Sequence, residues 1–154
     1  MTQTTNSIYG GAAYVGISIN GSAWTDISGH SNKVSPGGGD RNQGKAYTFD
    51  GEYPIVKVGK MNERQTRIDL IYTEQSGDAY EIARGQFIAA GGGTMYARWS
   101  PGGGDVGDKL YTTDAGFVQD FSYPEIDAEA NGPMKAYFVI QHATITPSTL
   151  ATAV

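Results

Sequence analysis

The chain has 154 residues, no cysteine and a formal net charge of −5, with 22 glycines, ten tyrosines and only 18% charged residues. This length fits one domain with a real core; the lack of cysteine excludes disulfides, thiolate chemistry and Cys-type zinc sites. No stretch approaches the roughly 18 apolar residues of a membrane span, and the first twenty residues lack a basic start followed by an apolar run, so a soluble protein with no export signal and no membrane partner is expected.

In chain order, residues 1–9 are polar and Thr-rich and read as an N-terminal arm. Ala13, Val15, Ile17 and Ile19 then alternate with small or polar residues, and Asn20-Gly21 predicts a two-residue hairpin turn into Ser22–Ile27. Residues 28–44 contain almost no large apolar side chains and read as one long loop. Strands are predicted over Lys45–Phe49, Pro54–Val58 and Arg67–Thr73, the last with Ile68, Leu70 and Tyr72 on one face.

One helix is predicted over about 78–90, with Asp78 at its start, Ala79, Ile82, Ala83, Phe87 and Ala90 at helical spacing, and Gly91-Gly92-Gly93 ending it. Beyond it lie strand patterns at Thr94–Trp99, Lys109–Thr113, Gly116–Tyr123 and Met134–Ile145. The last has Phe138, Ile140 and His142 on one face. The pattern is therefore mostly β, a sandwich or barrel with a single flanking helix. It gives one domain over 10–146 and a C-terminal tail at 147–154.

Ser35-Pro36-Gly37-Gly38-Gly39-Asp40 recurs letter for letter at Ser100-Pro101-Gly102-Gly103-Gly104-Asp105, and each copy is followed by a K-x-Y-T-x-D frame. Two related halves are expected, each a loop feeding a strand. Proline followed by three glycines serves either as a permissive turn or as a place where another backbone approaches closely, as at a subunit contact.

Charge is uneven: residues 1–98 hold nine Lys/Arg and nine Asp/Glu, whereas 99–154 hold two and seven. An acidic final third opposes a tight nucleic-acid clamp, which needs clustered Lys/Arg to release phosphate counterions. Neither PGGGDRNQGKA nor PGGGDVGDKL fits a phosphate loop, since each leads into strand-like sequence. Asp40-Arg41-Asn42-Gln43-Gly44 has the oxygen spacing of a calcium loop but no closing glutamate. His30 and His142 stand apart from any catalytic or metal motif. No catalytic, cofactor or metal site is expected. The tyrosines suit packing, with sugar stacking in a carbohydrate-binding sandwich as the alternative.

The segments TFDGEYPIVKVGK (48–60), IDLIYTEQSGDAYEIARGQFIA (68–89) and RWSPGGGDVGDKLYTTDAG (98–116), within a layout of arm, early long loop, sandwich and single helix, resemble the tail tube (major tail) proteins of long-tailed, siphovirus-like bacteriophages. The resemblance covers about residues 10–146. It implies a virion structural protein, assembled in the host cytoplasm, whose copies close hexameric rings that stack into a tube with other tail proteins. DNA would pass along an acidic lumen without sticking.

The resemblance also implies inter-subunit contacts at Thr4, Ile8, Lys33, Ser35, Pro36, Gly37, Gly38, Gly39, Asp40 and Arg41. It makes Asp105, Asp108, Asp114, Asp120, Glu125, Asp127 and Glu129 candidates for the lumen or rim. The duplicated SPGGGD departs from the pattern and leaves a tail terminator or a capsid decoration protein as alternatives.

Overall fold

The structure, a computed structural model, describes residues 8, 10–129 and 131–154. A 3-10 turn at Gly10–Ala12 leads into β1 (Tyr14–Ser18), β2 (Thr25–Asp26), β3 (Ser31–Pro36), β4 (Arg41–Ala46), β5 (Ile55–Met61) and β6 (Arg64–Ile71). The helix α1 (Ala79–Ile88) follows, then β7 (Thr94–Ser100), β8 (Lys109–Thr113), β9 (Gly116–Phe121), β10 (Lys135–His142) and β11 (Ile145–Thr149). The mostly β expectation with one helix holds.

Two sheets meet at β7. One of its edges pairs with β1 along its length, from Tyr14↔Ser100 to Ser18↔Tyr96. Its other edge is divided: Thr94 and Met95 pair with β9, and Arg98 and Trp99 pair with β8. One sheet therefore runs β2-β1-β7-β8-β11 and the other β7-β9-β10-β6-β3. Met95, Ala97 and Trp99 point into the core while Tyr96 and Arg98 point outward, the period-two alternation of a strand. Val15, Ile17, Ile68, Leu70, Phe138 and Ile140 complete the core from both sheets.

The helix lies against β9, burying Ala79, Tyr80 and Ala83. Tyr72, Tyr80, Phe121, Phe87 and Tyr123 form a chain of ring contacts with centroids 4.8–5.6 Å apart, which fixes α1 to that sheet. Asp78 is the N-cap, yet its carboxylate accepts from the Thr73 hydroxyl and caps no helical N–H.

Several expectations need correction. The segment expected as one loop, 28–44, contains β3 and most of β4, because backbone pairing with β6 and β5 needs no apolar pattern along an edge. Asn20-Gly21 sits within a longer connection between β1 and β2. There the Asn20 carboxamide oxygen accepts from Ser18, Ser22 and Ala23 and holds the turn by side-chain bonds. The run expected as one strand over Met134–Ile145 breaks after His142, where Asp114 accepts the Ala143 and Thr144 N–H groups and turns the chain into β11. Pro147–Thr149, expected in the tail, belongs to β11.

Phe138 is fully buried at the centre of β10, between β6 and β9. Phe138→Ala is expected to lower unfolding free energy by about 3–5 kcal/mol, measured by urea denaturation, with the slope of the transition unchanged.

Candidate assembly surfaces

The two SPGGGD copies adopt related turns. In each, the second and third glycines take positive φ: 53° and 123° at Gly38 and Gly39, 114° and 93° at Gly103 and Gly104. A side chain is strained there, which explains the repeated glycine. The expected equivalence ends with the turn. The second copy feeds β8 inside a main sheet, whereas the first feeds β4, which pairs only with β5. Of the K-x-Y-T-x-D frame, Lys109–Thr113 is all strand, but only Lys45 and Ala46 of the first copy are.

The strands β4 and β5 form a two-stranded ribbon with every residue exposed. An isolated hairpin of this kind is marginally stable in water. Its register puts Lys45 opposite Val56, Gln43 opposite Val58 and Arg41 opposite Met61, so these six side chains share one face. The other face carries Ile55 and Lys57. Apolar side chains thus stand on both faces, with Val58 at 67% exposure, and Tyr47, Phe49 and Tyr53 are exposed in the connection at the tip.

Of the expected contact residues, Thr4 lies outside the described residues and Ile8 is exposed. Lys33, Ser35 and Pro36 lie on β3, which among the described residues pairs only with β6 and so ends its sheet. The Gly37 N–H donates to the Gln65 carbonyl at 2.6 Å, tying the turn to β6. Gly38, Gly39, Asp40 and Arg41 continue into the ribbon, so 33–41 is one continuous run along the sheet edge. Of Asp40–Gly44, read as a possible cation loop, Arg41–Gly44 is the start of β4 and Asp40 precedes it.

The seven acidic candidates do not form one row. Asp108 accepts the Gly104 and Asp105 N–H groups and braces the second glycine turn, and Asp114 holds the β10–β11 turn. Asp105 is exposed on that glycine turn. Asp120 is exposed on β9 and accepts from the Tyr137 hydroxyl. Glu125, Asp127 and Glu129 are brought together on the exposed connection from β9 to β10.

The sequence reading placed strands at Lys45–Phe49 and Pro54–Val58 but missed that Arg41–Ala46 and Ile55–Met61 pair as a separate exposed ribbon, to which Lys45, Ile55, Val56, Lys57, Val58, Lys60 and Met61 belong. The signal was present in IVKVGKM, whose apolar residues occupy both parities, the mark of a strand covered on both faces.

His142 is buried and bridges strands. Its Nε2 lies 2.8 Å from the Thr66 hydroxyl and its Nδ1 3.0 Å from the Thr144 carbonyl. Donation from Nδ1 to that carbonyl leaves Nε2 to accept from Thr66, so both nitrogens are satisfied in the neutral ring. Burial lowers its pKa below the ordinary 6.5, against the Thr144 hydrogen bond and the Asp114 charge.

No family model matches the chain, and no curated protein matches it in sequence. Solved structures do match in fold. A chain of the PVC sheath–tube complex, an extracellular contractile injection system in its extended state, superposes with a TM-score of 0.72 at 10% identity, covering 97% of this chain and 100% of that one. A chain of the tail of an empty gene transfer agent particle, refined with C6 symmetry, gives 0.61 at 10% identity over 97% and 100%. The SPP1 tail tube gives 0.61 at 10% identity over 94% and 80%. The fold of this chain is the one found in those tube and tail assemblies.

Because the folded-state pKa of His142 is depressed, its contribution to stability is fully present above the unfolded value near 6.5 and is lost as pH falls below it. Thermal melts between pH 7.5 and 5 should show this decline, and His142→Gln should flatten it.

Proposed function

We propose that this chain is a structural, non-catalytic subunit that assembles with copies of itself into stacked hexameric rings forming a phage tail tube. The observation that carries the reading is a fold likeness running almost end to end through both this chain and the chain of the PVC sheath–tube complex. The C6 symmetry of the similar gene transfer agent tail supports the ring number. The ribbon and the open β3 edge support it independently, since apolar side chains and strand edges left exposed in one copy become covered in a ring.

In this reading the chain is one sandwich domain with an N-terminal arm at 1–9, and the run from Lys33 to Arg41 lies at contacts between copies. The channel wall is acidic. Asp105 and Asp120, exposed on different elements, are its first candidates, because Asp108 and Asp114 are occupied with turns. An acidic wall repels a phosphate backbone over about 10 Å at 0.1 M salt, so DNA passes as cargo without a binding site. The site of action is the virion tail, next to other tail proteins.

Negative-stain electron microscopy of the purified protein is expected to show six-fold rings or tubes. Single rings that never stack would indicate a terminator, trimers a decoration protein, and a monomer at high concentration would sink the assembly reading. Replacing 42–60 with a Gly-Gly link should leave a cooperative thermal transition but abolish rings.

A further inference from the structure

The two ends of the β7-β9-β10-β6-β3 sheet carry different surfaces. At one end the ribbon joins β6 at Arg64, across from His142 of β10. At the other, the connection from β9 enters β10 at Lys135, across from Ile71. The eight residue pairs between them put these ends about 24 Å apart.

The strands of the ribbon are basic and apolar, while the carboxylates of this segment, Asp40, Asp50, Glu52 and Glu63, lie outside them in the tip connection and at the base. All four charged residues of the strands, Arg41, Lys45, Lys57 and Lys60, are cationic. Arg41 and Lys45 share a face with Val56, Val58 and Met61. The far end is acidic and apolar. From Leu110 to Met134 the sequence has five carboxylates and no lysine or arginine.

In the connection at that far end, Glu125 and Asp127 flank Ile126, whose side chain is 88% exposed. These three residues, Met134 and Lys135 line a cavity of about 280 Å³, with two carboxylates against one ammonium. Among the strands and the helix, β4 and β5 make extensive contact only with each other.

We propose that the Arg41, Lys45, Val56, Val58 and Met61 face of the ribbon docks on the Glu125–Asp127 connection of a second copy of this chain. Lysine and arginine meet carboxylates there, and valine meets Ile126 and Met134. The inference rests on the assembly reading and names the partner of the ribbon. Donor and acceptor surfaces differ and lie at opposite ends, so the contact is heterologous and propagates from copy to copy along the strands. Such a contact stacks subunits, where a self-complementary one would stop at a dimer. Both partners are exposed and charged, so salt weakens it.

The lack of cysteine gives a direct test. Val58→Cys and Ile126→Cys, made in two separately tagged chains of different mass, are mixed and oxidised at 50 mM and 500 mM salt. The mixed disulfide should exceed either homodimer at least fivefold at low salt and fall severalfold at high salt. Equal yields of all three dimers, or no mixed dimer, would overturn the proposal.

Adding Glu125→Lys and Asp127→Lys to the Ile126→Cys chain should abolish the mixed disulfide. Adding Arg41→Glu and Lys45→Glu to its Val58→Cys partner should restore it, and failure of that rescue also counts against the pairing. Rings without the mixed disulfide would remove this contact and leave the tube reading intact. The mixed disulfide without rings would do the reverse.

Discussion

The double use of β7 is the constraint on which the rest depends. A strand has two hydrogen-bonding edges, and here one is given wholly to β1 while the other is divided between β9 and β8. That division lets one strand belong to two sheets without a break, and it sends the sheets apart so that their apolar faces enclose a single core. The Gly116 side of β9 and the end of β8 must then turn away from each other. The Asp114 carboxylate is placed where they do so, accepting two N–H groups and lying near His142. A buried neutral imidazole beside a turn-holding carboxylate follows from this topology and needs no catalytic role.

The same division leaves edges. β3 and β11 each have one partner, and the β4–β5 ribbon stands outside both sheets. Hydrogen bonds between two strands satisfy only half of the backbone groups of each, and no side chain of the ribbon is buried. Covering a half-exposed valine or isoleucine contributes about 1 kcal/mol, and the ribbon strands hold three, Ile55, Val56 and Val58. In the proposed assembly the ribbon's order would be linked to contact with another copy. Folding of the sandwich and ordering of the ribbon are separable, since the core residues lie in the other strands and the helix.

Legibility in the sequence followed burial. Where one face of a strand is covered, alternation marks it: Ile68 and Leu70 on β6 and Phe138, Ile140 and His142 on β10 fall in the expected phase. The glycine run that ends the helix also read correctly. What failed were the elements held by backbone pairing alone. β3 and β4 have polar or small side chains because an edge or a projecting ribbon places no demand on them within one copy, so SNKV and RNQG read as loop. The acidic residues were legible as a charge imbalance but not as roles. Whether Asp108 faces water or braces a glycine turn depends on a backbone conformation that composition does not encode.

Those roles also compete. A carboxylate engaged by a lysine from a neighbouring copy contributes little to the field in a channel, since the pair is close to neutral beyond a Debye length. In the proposed assembly, Glu125, Asp127 and Glu129 would therefore serve docking or repulsion of DNA, not both. The neighbouring Tyr123, Ile126 and Met134 favour docking, because exposed apolar groups beside DNA in water gain nothing, whereas against Val56 and Val58 they lose their contact with water. Asp105 sits on a glycine turn next to exposed Val106 and Gly107, and Asp120 projects from a sheet face beside Tyr137. Neither belongs to the proposed docking connection, so in the proposed tube the charge of a channel wall would fall to them. In the proposed tube, the acidic residues would be divided between a surface that holds copies together and one that keeps DNA moving.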